Sequence, residues 1–92
     1  MGRTKDRRSA KSLKKLNRSA AGIDVGAGSN FVAVDPSIGG QTVREFSSFT
    51  DDLHNLALWL RECGVTTVAM EATGIYWIPL FEVLESKGFE VV

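Results

Sequence analysis

The sequence has one cysteine, one histidine, one tyrosine and two prolines in 92 residues. A lone cysteine, Cys63, excludes an internal disulfide and a cysteine-based zinc cluster, and it fits a reducing, cytoplasmic setting. His54 has no Cys or His partner in a ligand spacing and falls on the polar side of a helical pattern, where a solvated side chain is expected. Long apolar runs are missing as well. The longest, residues 75–81 (IYWIPLF), is far short of the roughly 20 residues that span a bilayer, so no membrane partner is expected. No apolar segment follows the basic start, which argues against a signal peptide.

What the chain does have is charge, unevenly placed. The formal net charge is zero, yet residues 1–20 hold Arg3, Lys5, Arg7, Arg8, Lys11, Lys14, Lys15 and Arg18 against Asp6 alone. Residues 21–92 hold Arg44, Arg61 and Lys87 against ten acids. After Met1 the arm 1–20 has only Leu13 and Leu16 as large apolar side chains, so it is expected to stay disordered or to form a fraying helix. Such an arm can neutralise phosphates and bind nucleic acid in a salt-dependent, sequence-blind way. A solubilising tail is the competing reading. No aromatic residue interleaves the basic ones, so base stacking is not expected.

Residues 21–92 read as one small domain. Ala20 to Gly26 form a short apolar strand containing Asp24, and residues 27–30 (AGSN) have turn chemistry. Phe31 to Val34 resume a strand, and residues 35–40 (DPSIGG) turn again. Thr42 to Phe46 alternate as an edge strand does. The period then changes. Thr50 is expected to cap a helix whose first turn holds Asp51 and Asp52, with Leu53, Leu56, Ala57 and Leu60 at helical spacing and Gly64 closing it. A fourth strand follows over residues 65–70, then a second helix carrying Trp77, Leu80, Phe81 and Leu84, with Pro79 in its first turn. Gly88 ends that helix, and residues 89–92 begin a fifth strand. Strands joined through a helix form right-handed parallel crossovers. The expected architecture is therefore an α/β mixed sheet of order 3-2-1-4-5, with strands 1 and 4 parallel neighbours.

That order brings Asp24, on strand 1, beside Glu71, at the end of strand 4. Two carboxylates together repel each other and are costly to desolvate, unless a divalent cation neutralises them. Mg²⁺ suits such oxygen ligands and completes its shell with waters and phosphate oxygens, the beginning of a site for phosphodiester chemistry. Two other readings stand beside this one. The acids can be solvated strand-end groups. Alternatively, residues 24–29 (DVGAGS) fit, loosely, the phosphate loop of sugar kinases and actin-like ATPases.

The stretches GIDVG, FVAVD and REFSSFTDDLHNLALWLRECGVTTVAMEATGIYWIPLFEVLESKGFEVV carry a closer likeness. Residues 21–92 resemble, without a break, the N-terminal RuvC-like part of the DEDD transposases of bacterial insertion sequences, the IS110 family. The M-E-x-T-G-x-Y-W segment is the most specific part of the match. The resemblance implies an RNase H-like fold, Mg²⁺ or Mn²⁺ as cofactor, DNA as partner, and DNA strand cleavage and rejoining in transposition. It maps the first two acids of the family's catalytic tetrad onto Asp24 and Glu71. It also implies two further aspartates beyond the fifth strand, a C-terminal domain with a nucleophilic serine, and a guide RNA. None of these parts lies within residues 1–92. The expectation is a transposase fragment, truncated after strand 5 and inactive alone. A non-catalytic module that binds nucleic acid, or docks on full-length transposase or on itself, is the alternative.

Overall fold

The computed structural model describes residues 19–92. The eight basic side chains of the arm, from Arg3 to Arg18, lie outside the described residues. The described chain runs β1 (Ala20–Val25), β2 (Ser29–Val34), β3 (Val43–Ser47), α1 (Thr50–Glu62), β4 (Thr67–Ala72), α2 (Trp77–Ser86) and β5 (Glu90–Val91). A 3-10 turn at Pro36–Ile38 connects β2 to β3, and the Asp35 carboxylate accepts the Ser37 N–H at 2.8 Å to start it.

The five strands form one mixed sheet of order β3-β2-β1-β4-β5, as the crossover argument predicts. β1 to β3 make the antiparallel meander, while β4 lies parallel to β1 and β5 parallel to β4. The β1–β2 connection is tighter than the sequence suggests. Ser29 and Asn30 belong to β2, leaving Ala27 and Gly28 as a two-residue hairpin loop closed by the Gly26 N–H donating to the Ser29 carbonyl at 3.0 Å. A Cβ on Gly26 would stand 2.9 Å from that same carbonyl oxygen, which is why only glycine fits there.

Both helices pack on one face of the sheet. Ala21, Ile23 and Val25 of β1, Val32 and Val34 of β2, Phe46 of β3 and Val68 of β4 meet Leu53, Leu56, Ala57 and Leu60 of α1 and Leu80 and Leu84 of α2 in one core. Four of those leucines (Leu56, Leu60, Leu80 and Leu84) are fully buried, each contributing about 1.5–3 kcal/mol. Trp59 joins this core against Phe46, ring centroids 5.9 Å apart, with the Arg44 guanidinium over both rings.

The helix ends repeat one device. Gly64 and Gly88, both at positive φ, follow α1 and α2. The Gly64 N–H donates to the Arg61 carbonyl and the Val65 N–H to that of Leu60, while Gly88 and Phe89 do the same to Glu85 and Leu84. These are two Schellman endings, with Val65 and Phe89 buried as their apolar closures. The start of α1 departs from expectation. Thr50 is the first helical residue rather than the cap, and Phe49 at the cap position makes no side-chain bond. Asp52 takes over by reaching back, its carboxylate accepting the Ser47 N–H at 2.6 Å. This contact and the Asn55 amide hold its carboxyl below the usual aspartate range.

Candidate metal centre

In the parallel β1–β4 pair, Ala20 meets Thr67 and the register continues residue by residue to Asp24 opposite Glu71. Facing residues of neighbouring strands share a side of the sheet, and adjacent strands run about 4.8 Å apart. Ile23 and Met70, one step back, point into the core. Asp24 and Glu71 therefore project together from the opposite, helix-free face, and both are exposed. Continuing across the register, Phe31 lies beside Asp24 and Glu45 beside Phe31, so one row reads Glu45, Phe31, Asp24, Glu71. The row behind it is small and apolar: Ala33, Gly22 and Ala69.

The surrounding loops belong to the same end of the sheet. β1 and β4 end here, and after each of β3 and β4 the chain turns here into a helix. The Ser48 hydroxyl donates to the Ala27 carbonyl at 3.1 Å, tying the β1–β2 loop to the β3–α1 connection. Phe49, Ile75 and Tyr76 stand out from these connections, Phe49 with 79% of its surface exposed. A groove of about 360 Å³ opens between α2 and the far edge of the sheet, lined by Met70, Ala72, Trp77, Phe81, Val91 and Val92. It lies on the helix side, away from the two carboxylates.

The donor set fits a hard divalent cation in part. Two carboxylates on adjacent strands, neither engaged in a hydrogen bond or ion pair among the described residues, offer oxygen ligands to one point. No group of three or more His, Cys, Asp or Glu side chains that could hold a metal occurs among the described residues. Mg²⁺ commonly binds through one or two carboxylates with waters and phosphate oxygens, so the pair is a partial shell and not a closed site.

The other singled-out residues separate from this centre. His54 is exposed on α1, and Cys63 is half-buried against the core, where burial pushes its thiol pKa up. The Gly26 N–H, which a phosphate loop would present to a nucleotide, is bonded to Ser29. Periodicity did not single out Asn30. It is 2% exposed on the core side of β2, with its Nδ2 3.4 Å from the Ser47 carbonyl and its Oδ1 without a partner among the described residues. Its place in an AGSN turn signal hid it, because the strand begins one residue earlier.

A mixed sheet of this order, with the first and fourth strands parallel at its centre and helices following the third and fourth, defines an RNase H-like domain. The family model for DEDD transposases of the IS110 type, described as transposase, matches residues 21–92. The chain belongs to that family, and with it comes a role in transposition. Family membership also points to divalent-metal dependence and to DNA as the partner. No curated protein matches the chain. None of the helices among the described residues is long and apolar enough to cross a membrane.

Proposed function

We propose that Asp24 and Glu71 are two ligands of a Mg²⁺ or Mn²⁺ site that serves DNA strand cleavage and rejoining during transposition. The observation that carries this reading is their direct register pairing on the helix-free face, at the carboxyl ends of two parallel strands. A bound divalent cation supplies charge neutralisation and polarisation at a phosphodiester. The chain's own part is to hold the two carboxylates at fixed spacing through the sheet, the less deformable because Ser48 and Asp52 brace the neighbouring loops. Gly22, Ala33 and Ala69 keep the adjoining surface low, leaving room for a sugar–phosphate backbone to approach. No group of three or more Asp, Glu, His or Cys side chains that could hold a metal occurs among the described residues, so Asp24 and Glu71 are the only ligands assigned from them. Catalysis by residues 1–92 alone is no part of the proposal.

Mn²⁺ titration followed by amide NMR tests it. Line broadening is expected to concentrate at residues 22–25 and 70–73 over one common concentration range, and to vanish in Asp24→Asn. Broadening that ignores these strands, or that survives the substitution, refutes the metal assignment.

The charge partition favours a second, non-catalytic contribution. Eight of the eleven Lys and Arg residues lie in residues 1–18, which we read as a phosphate-binding arm. Gel shifts with and without residues 1–18 decide it. Equal affinity at low salt removes the arm from DNA binding.

A further inference from the structure

Residues 19–92 are acidic, yet their few basic groups are not scattered. Besides Arg44, which is stacked on Phe46 and Trp59, the described residues hold three: His54, Arg61 and Lys87. All three line one groove of about 430 Å³, together with Asn55, Ala57 and Leu58. Its size is that of small-ligand sites, roughly 300–1,000 Å³. None of the ten carboxylates of residues 19–92 lines it.

The groove has built features as well as charge. Arg61 donates from its guanidinium to the Lys87 carbonyl, and its guanidinium carbon lies 4.9 Å from the centre of the Phe89 ring. The fork is thus fixed before any ligand arrives, and most of its five N–H donors are left over. That hydrogen bond also satisfies a carbonyl at the end of α2 and sets the guanidinium charge against the negative end of that helix. Lys87 adds an ammonium, and Asn55 retains one amide proton after donating the other to Asp52. Ala57 and the exposed Leu58 give an apolar floor.

Position supplies a further argument. α1 and α2 both end at the edge of the sheet where β1 begins. There the Ser19 carbonyl accepts the N–H groups of Thr66 and Thr67. Residues 1–18, with eight basic side chains, therefore join the domain at the end that carries Arg61 and Lys87. The groove lies on the helix side of the sheet, away from Asp24 and Glu71.

We infer that this groove binds a backbone phosphate of nucleic acid, with Arg61 and Lys87 on the phosphate oxygens and Leu58 against the sugar. It is a holding site and takes no part in chemistry at the carboxylate pair. The inference rests on nucleic acid as the partner of the transposase, but not on the metal assignment.

The test uses the full 92-residue chain in EDTA, which separates it from the metal reading. Binding of a fluorescein-labelled DNA duplex is followed by anisotropy between about 50 and about 300 mM salt. Each phosphate that the protein neutralises adds about 0.9 to the slope of log affinity against log salt. Lys87→Gln leaves the backbone carbonyl that Arg61 uses, and it is expected to flatten the slope by about that amount. Leu58→Glu, at an exposed position, is expected to weaken low-salt binding severalfold, and circular dichroism confirms that both variants fold. In amide spectra of the parent chain, inorganic phosphate and the duplex are each expected to shift residues 54–61 and 87–88. Unchanged affinity and slope in both variants overturn the inference. So does a groove that responds to inorganic phosphate while the duplex leaves it unmoved, for the site would then serve a free anion. A null result at Asp24 and Glu71 in the Mn²⁺ experiment leaves these outcomes untouched.

Discussion

The proposed metal site predicts a thermodynamic coupling between Asp24 and Glu71 whose sign changes when a cation binds. Without a cation the two carboxylates face each other across adjacent strands on the exposed face. Strands about 4.8 Å apart, with one side chain a methylene longer than the other, put the charges about 6 Å apart. In a water-like dielectric that separation gives a repulsion of about 0.7 kcal/mol, in the direction expected of like charges placed opposite each other in a sheet. Asp24→Asn and Glu71→Gln should each remove it, and the double substitution should add almost nothing. For a domain of this size, about 0.7 kcal/mol corresponds to a rise in Tm of about 3–6 °C. Screening shrinks the effect, so the measurement belongs at low salt.

Adding Mg²⁺ at about ten times its dissociation constant should stabilise the parent chain by about 1.4 kcal/mol. The single variants should lose most of that gain. A double-mutant cycle read by thermal unfolding thus gives an unfavourable coupling in EDTA and a favourable one in Mg²⁺. Two results refute the reasoning. Zero coupling in EDTA means that the carboxylates do not meet across the strands. Coupling that stays unfavourable in saturating Mg²⁺ means that they meet but do not share a cation.

Two further predictions concern the loops that brace this end of the sheet. Gly26→Ala drives a Cβ to within 2.9 Å of the Ser29 carbonyl, whereas a Cβ on Gly28 meets nothing within 4 Å. Denaturant unfolding should therefore show a loss of about 1–3 kcal/mol for Gly26→Ala and a much smaller change for Gly28→Ala. Asp52 has its carboxyl pKa lowered first by the Ser47 N–H and then by Asn55, so its contribution is present above the ordinary aspartate value and is lost as the pH falls through the lowered one. Melting curves from neutral pH down to strong acid should show a stability loss in that window which Asp52→Asn removes; parallel acid profiles for the two chains would contradict the capping role.

Much of this architecture was legible in the sequence because its signals were local and mutually consistent. Leu53, Leu56, Ala57 and Leu60 marked the buried stripe of α1, and Gly64 and Gly88 marked both helix ends. The β-β-β-α-β-α-β order then left few sheet topologies open, and the crossover rule selected the one that pairs Asp24 with Glu71. Misplaced features were those decided by tertiary geometry. Ser29 and Asn30 look like turn residues, but pairing with Ser47 and Phe46 recruits them into β2. Thr50 has cap chemistry, yet the bond from Ser47 to Asp52 fixes the start of the helix one residue away. The basic groove was illegible for a different reason. His54 and Arg61 are seven residues apart on a helix whose polar side looked merely solvated. Only the end of α2, folded alongside, adds Lys87.

The placement of the acids on the open face also explains how the chain tolerates them. Parallel strands such as β1 and β4 are ordinarily covered on both sides, and here the helices cover only one. On the other side Phe31 and Val43 are about half exposed, beside the low strip of Gly22, Ala33 and Ala69. In this state water solvates Asp24 and Glu71, and their mutual repulsion is small. When a nucleic-acid backbone or a further layer of polypeptide covers that face, the surrounding water is expelled and the same repulsion grows severalfold. On the proposed metal site, covering the face and neutralising the carboxylates would then be coupled events: a cation held weakly by the open sheet would be held more tightly beneath a phosphodiester. Mg²⁺ affinity should accordingly rise when DNA is present, and reciprocally DNA affinity should rise with Mg²⁺ by the same factor.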